Sequence, residues 1–205
     1  FEDIDRVPVV LGGLASFMLH AGGSLAPMMT DPMYSTDCQL KTCEEIGLPD
    51  GVQHPGFTPY LLSTIWLSKV KFPGIQLPDD ELWQVDESGL MTVDDYKDII
   101  DHGFYDWYNR FLVERLDNLP EKMVPFFQNF GKMVEKTAAT GMVPFSPLMF
   151  TIPYEYFCGG RTMVQFSRDL YKHLDLVKEA SEVALPELQQ NIRNTFKGYK
   201  PTAVW

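Results

Sequence analysis

Val7-Pro8-Val9-Val10-Leu11-Gly12-Gly13 is a short apolar run with charge before it and a glycine pair after it. That pattern suits a buried first strand leading into a glycine-rich turn. Downstream, Thr30-Asp31-Pro32 marks a helix start, since proline is tolerated in a first turn, and Gly47 supplies the stop. Met33, Leu40, Cys43 and Ile46 recur between them at roughly helical spacing. Residues 60–67 (Tyr60 to Leu67) read as a second strand, with a short helix as the alternative. The polar stretch from Lys69 to Leu90, broken by Pro73, Gly74, Pro78 and Gly89, reads as a long functional or partner-facing loop.

Farther along, the pattern turns helical. Thr92 with Asp95 three residues on forms a capping box with Asp in place of Glu. It opens a helix ending near Gly103, followed by a short helix from Phe104 to Leu116. Pro120 opens another that runs to about Thr140 and bends at Pro125. Met142 to Phe150 is the next strand candidate. Arg161 to Leu174 and Asp175 to Phe196 are amphipathic helices, the second kinked or split at Pro186. Lys197-Gly198-Tyr199-Lys200-Pro201 closes this helical stretch, and Thr202-Ala203-Val204-Trp205 begins an apolar, β-favouring run. A strand that follows a helix normally joins a parallel sheet buried on both faces. The expectation is a single α/β domain over residues 1–205 that forms the N-terminal part of a larger βα enzyme.

Bulk composition removes several function classes. A formal net charge of -11 is opposed to nucleic acid, whose counterions are displaced by clustered Lys and Arg, and to an anionic membrane surface. No apolar run approaches the roughly 20 residues of a spanning helix. Three cysteines, an odd number, fit a reducing cytoplasm better than a disulfide scaffold. His20, His54, His102 and His173 stand far apart, with no His-x-Cys and no Cys-x-x-Cys, so no complete metal site is expected within the chain. Cys38 and Cys43, five apart, fall on different sides of a helix and read as small buried hydrophobes. The acidic band from Asp79 to Asp101 is either a solvated face or the hiding place of an acid–base pair.

Two stretches point to chemistry. Gly12-Gly13 and Gly22-Gly23 bracket Phe17 and His20, where backbone can approach a ligand closely. His20 is either a rim residue touching substrate or a structural histidine. The second stretch runs from Met142 to Arg161. Pro144, Phe145, Pro147 and Pro153 punctuate a strand exit, and Tyr154, Tyr156, Cys158, Gly159, Gly160 and Arg161 follow. A tyrosine hydroxyl and a guanidinium at a strand end grip a carboxylate or phosphate; the alternative is that the tyrosines pack and Arg161 pairs with a nearby acid.

Pro144-Phe145-Ser146-Pro147-Leu148 through Tyr156-Phe157-Cys158-Gly159-Gly160, then Leu170-Tyr171-Lys172-His173-Leu174, resembles the middle of the uroporphyrinogen decarboxylase family. Arg6-Val7-Pro8-Val9 resembles that family's opening strand. Asp31-Pro32 with Cys43-Glu44-Glu45-Ile46-Gly47 resembles its next helix. The stretch from Trp66 to Tyr96, with Phe72-Pro73-Gly74 and Met91-Thr92-Val93-Asp94-Asp95-Tyr96, is similar to its decarboxylase-like branch. The resemblance implies a (β/α)8 TIM barrel of which this chain holds the N-terminal part, completed by the remainder of the barrel or a second chain. It also implies a cytoplasmic enzyme with Tyr156 and Arg161 as catalytic residues. Gly12, Gly13, Phe17, His20 and Tyr154 would lie against a small-molecule substrate.

Two branches of that family differ in chemistry. Decarboxylation of uroporphyrinogen III, in tetrapyrrole (heme) biosynthesis, implies arginines in the turn after strand one. This chain has the arginine-free run from Gly12 to Gly23 there. The cobalamin-dependent methyltransferase branch implies a corrinoid carried on a partner protein, and zinc held by a His-x-Cys and a later Cys outside this chain. An apolar, glycine-lined rim suits a small or neutral methylated substrate better than a polyanion, which favours corrinoid-dependent methyl transfer. A non-catalytic half-barrel that pairs with another chain is the reading from a different class.

Overall fold

The computed structural model describes residues 6–145 and 150–198. The run Thr202–Trp205 expected to be a strand, and Ser146 to Met149 within the expected strand 142–150, lie outside the described residues. Three short strands, β1 (Val10–Leu11), β2 (Gly51–Val52) and β5 (Val143–Pro144), form a parallel sheet whose spatial order follows the chain. Val10 stands opposite Gly51 and Gly51 opposite Val143. Gly51 is needed there, because a Cβ would come within 2.7 Å of the Val143 carbonyl oxygen. A separate antiparallel ribbon pairs β3 (Lys69–Lys71) with β4 (Gln84–Asp86), so the stretch expected to be one long loop carries a two-stranded ribbon at its ends.

The crossover from β1 to β2 consists of α1 (Leu14–His20), a 3-10 turn (Ala26–Met29) and α2 (Tyr34–Ile46). Helix α2 begins and ends where local chemistry directs it. The Asp31 carboxylate accepts from the Met33 N–H at 2.9 Å, and Gly47 takes the left-handed conformation, φ 103°, that a β-carbon disfavours. Thr42 donates to the Phe17 carbonyl at 3.0 Å, tying α2 to α1. Phe17, Met18, Leu40, Cys43 and Val52 bury together in the cluster beneath the sheet.

The return from β2 to β5 contains α3 (Tyr60–Trp66), the ribbon, α4 (Val93–His102), α5 (Phe104–Glu114) and α6 (Leu119–Ala138). The strand expected over residues 60–67 is therefore corrected: these residues are helical. Pro59, already at φ -59°, leads into α3, and Leu67 in the left-handed region stops it. At the start of α4 the expected capping box is formed. The Asp95 carboxylate accepts from the Thr92 N–H at 2.6 Å and its hydroxyl at 2.9 Å. After β5 come α7 (Pro153–Arg161), α8 (Met163–Lys172) and α9 (Leu174–Gly198), the last running through Pro186 without a break. The tyrosine-rich stretch read as following a strand exit is the helix α7, with Pro153 at its first turn.

These helices enclose the larger cluster, with Tyr96, Trp107, Phe104, Phe157 and Ala180 at its centre. Burying such aromatic side chains contributes about 1.5–3 kcal/mol each by transfer alone. Two carboxylates inside it are fully partnered. Asp95 also accepts from Trp107 Nε1 at 2.9 Å and Arg115 at 2.7 Å. Asp169 accepts from Tyr96 at 3.1 Å and from the Arg161 fork at 2.5 and 3.0 Å. Among the described residues, no helix is long and apolar enough to cross a membrane.

Candidate functional site

A cavity of about 820 Å³ opens beside the C-terminal ends of the parallel strands. Gln53, which follows β2, and Phe150 and Thr151, from the segment after β5, form one side. Helix α3 contributes Leu61, Thr64 and Ile65, α5 contributes Tyr108 and Asn109, and α6 contributes Met123 and Phe127. Helix α7 contributes Glu155 and Tyr156, and α9 contributes Asn191. A volume of this size is in the range of small-molecule sites, which are mostly apolar with a few convergent polar groups.

The polar groups differ in how far they are committed. Tyr108 donates to the Thr64 carbonyl at 2.9 Å, and its ring meets Tyr156 edge-on with centroids 5.5 Å apart. Burial, reinforced by the neighbouring tyrosines, pushes the Tyr108 phenol well above its ordinary range. Burial also pushes up Tyr156, with Tyr105 and Glu155 adding to the effect. Both therefore remain protonated donors at neutral pH. The Tyr156 hydroxyl makes no hydrogen bond among the described residues. Glu155 accepts from Trp66 Nε1 at 3.3 Å and from the Thr151 hydroxyl, both neutral donors. Among the described lining residues there is no lysine, arginine or histidine.

Of the residues singled out from sequence, Tyr156 lines this cleft, and Gly12 abuts it indirectly. A Cβ on Gly12 would overlap Gln53 Oε1, so the glycine lets the Gln53 side chain lie across the strand end. Gly13 makes room in the same way for the Phe17 ring. Phe17 itself is buried in the cluster beneath the sheet. His20 ends α1 at the surface and sits 3.2 Å from Glu45, away from the cleft. Tyr154 lies on the other side of α7, because two helical residues are about 200° apart around the axis. It packs on Phe166 and lines a second cavity of about 460 Å³ with Trp66, Glu155, Cys158 and Met163, so Glu155 borders both cavities. There burial pushes the Cys158 thiol up.

Arg161 does not reach either cavity. Its fork is spent on Asp169 and its remaining nitrogen on the Met91 carbonyl at 2.8 Å, so it braces α7 against α4 and α8. The alternative given for it above, pairing with a nearby acid, is the geometry observed. Among the described residues no three His, Cys, Asp or Glu side chains converge as a metal site would require. The sequence reading passed over Gln53, Tyr108, Asn109, Glu155 and Asn191, which come from four distant segments. None of them carried a local signal; Glu155 stands about 100° around α7 from both Tyr154 and Tyr156, which is how it reaches both cavities. No family model, curated protein or solved structure matches this chain.

Proposed function

We propose that this chain belongs to a βα-barrel enzyme of the uroporphyrinogen decarboxylase type and acts in corrinoid-dependent methyl transfer. The supporting architecture is three parallel strands in chain order with helical crossovers, and a cleft beside their C-terminal ends, where barrel enzymes hold substrate. One observation carries the choice of branch: the described lining of the cleft is aromatic, aliphatic and neutral polar, with a single carboxylate and no cationic residue. A tetrapyrrole bearing many carboxylates would be desolvated there beside Glu155 without a guanidinium partner, and leaving such charge unpaired costs on the order of several kcal/mol. A small methylated substrate meets no such cost.

In this reading Tyr156, kept protonated by burial, donates a hydrogen bond to the polar atom of the substrate and orients its methyl group. Tyr108 is fixed by Thr64 and backs the Tyr156 ring. Arg161 positions α7 and touches no reacting atom. The corrinoid, carried by a partner protein, supplies the methyl-accepting centre. The described residues do not make a zinc site, so any zinc in this reaction would draw on ligands beyond them. The half-barrel reading is favoured only by the exposed outer strands, with Val10 at 40% and Val143 at 43% exposure.

The test is methyl transfer by the full-length protein from methylated amines, alcohols or thiols to cob(I)alamin, followed by the loss of the cob(I)alamin visible spectrum as methylcob(III)alamin and the demethylated product form. The expected result is spectral turnover, with Tyr156→Phe lowering kcat/KM about 5- to 10-fold, the worth of one net hydrogen bond. Absence of turnover, together with conversion of uroporphyrinogen, would overturn it.

A further inference from the structure

We infer that the ligand of the large cleft is a small organic cation with a methylated head, a tertiary or quaternary ammonium group held between aromatic faces and Glu155. This rests on the reading of the cleft as a substrate site and names the class of substrate.

The charge of the cleft carries the inference. Glu155 is the single carboxylate among its described lining residues, and it also borders the second cavity. Its two oxygens face Trp66 Nε1 and the Thr151 hydroxyl, neutral donors that leave the negative charge in place. Among the described residues no lysine, arginine or histidine forms an ion pair with it, whereas the buried carboxylates Asp95 and Asp169 each hold an arginine. A half-buried carboxylate without a counter-charge favours a ligand that brings one.

The aromatic lining fixes what kind of cation. Tyr108, Tyr156, Phe127 and Phe150 all line the cavity. Ring faces attract ammonium groups, most strongly those whose hydration has been stripped or blocked by methyl groups. Burial keeps both phenols protonated, so their rings act as neutral, electron-rich walls. A bare divalent metal is disfavoured, because no three acidic, histidine or cysteine side chains converge among the described residues. An anion would meet Glu155 at close range. The formal net charge of -11 further raises the local concentration of cations. The carboxamides of Gln53, Asn109 and Asn191 are available to a polar group at the other end of the ligand.

The test is calorimetric titration of the full-length protein with choline and with 3,3-dimethylbutan-1-ol, which has the same shape without the charge. Choline is expected to bind about ten-fold more tightly, the range of a desolvated cation–π contact. In Glu155→Gln, which retains hydrogen-bonding oxygen and nitrogen toward Trp66 and Thr151, that preference is expected to vanish. A circular dichroism spectrum and urea midpoint matching the native protein verify its fold. Equal binding of the pair, tighter binding of the alcohol, or binding of neither overturns the inference on the native protein alone, whatever the variant does. So does a preference that survives in folded Glu155→Gln. Methyl transfer from a neutral donor without cation preference would sink this inference and leave the proposed function standing, and selective choline binding without methyl transfer would do the reverse.

Discussion

The cluster built by α4, α5, α7, α8 and α9 seals its aromatic and ionic groups, whereas the parallel sheet presents two-residue strands with half-exposed valines. Tyr96, Phe104 and Phe157 are wholly buried, and each carboxylate among them has an arginine and further donors. Val10 and Val143 stand 40% and 43% exposed on the outer strands. The cleft lies where these two regions meet, with Gln53 from the sheet side and Tyr108, Glu155 and Tyr156 from the helical side. A rigid helical wall can hold Tyr156 and Glu155 in place, while the sheet side contributes little stability of its own. Substitutions should therefore cost much in the first region and little in the second.

The largest effect is expected at Asp169. Its removal leaves Arg161, whose side chain is 12% exposed, with a buried guanidinium and no counter-charge, and also frees the Tyr96 hydroxyl. Asp169→Ala should lower unfolding stability by about 3–5 kcal/mol, read by urea denaturation. A loss under about 1 kcal/mol would mean that the helical region is far less sealed than its geometry implies.

Next comes Gly159, where α7 crosses the end of α3. A β-carbon there would overlap the Trp66 carbonyl oxygen, which is backbone and cannot rotate away. Gly159→Ala should destabilise by about 1–3 kcal/mol or more, because the helices must separate. The same shift moves Glu155 and Tyr156, so ligand binding in the cleft should weaken along with stability. If stability falls and binding does not, the helical wall is not what positions the cleft.

A smaller effect concerns pH. Burial pushes the Asp95 carboxyl up, but the bonds from Arg115, Trp107 and Thr92 outweigh it and hold its pKa below the ordinary carboxylate value. A group whose folded pKa is depressed stabilises the fold above its unfolded pKa and ceases to do so as pH falls through the folded value. Stability should thus be flat from neutral pH to about 4 as far as Asp95 is concerned, and decline below that. In Asp95→Asn this part of the acid-limb decline should be missing, as measured by thermal unfolding at pH 2 to 7. An unchanged acid limb would remove Asp95 from the set of groups that hold the helical region together.

What was legible in the sequence follows the same division. The capping pair Thr92 and Asp95, the stop at Gly47 and the start at Pro120 act within a few residues, so composition alone located α2, α4 and α6. Strands of two residues carry no period, which is why β2 at Gly51–Val52 went unread and β5 was expected to be longer. Tyr60 to Leu67 is rich in β-favouring Tyr, Ile and Trp, yet packing of Leu61 and Ser63 against the interior favours a helix. That Tyr156 would lie near the strand ends was legible from its place after a strand. Its separation from Tyr154 was not, because that depends on α7 being helical. Asn109, Gln53 and Asn191 become neighbours only when α5, β2 and α9 converge, and no local pattern marks that.

The smallest predicted effect sharpens the comparison most. Val143→Thr keeps a β-branched side chain of nearly the same shape and adds one hydroxyl, so strand propensity is retained and only the surroundings of the side chain are probed. If the outer face of β5 is bathed in water, as its 43% exposure indicates, the hydroxyl is hydrated and stability should change by less than about 0.5 kcal/mol. If another strand, or a second protein chain, covers that face in solution, the hydroxyl is buried without a partner and the loss should rise to about 1–3 kcal/mol. Urea unfolding of the full-length protein distinguishes the two. The half-barrel reading requires the larger loss only when the partner is present. A closed barrel requires it in the protein alone, and a loss below about 0.5 kcal/mol in both conditions would leave the sheet open as drawn and remove the support that its exposed valines lend to either form of closure.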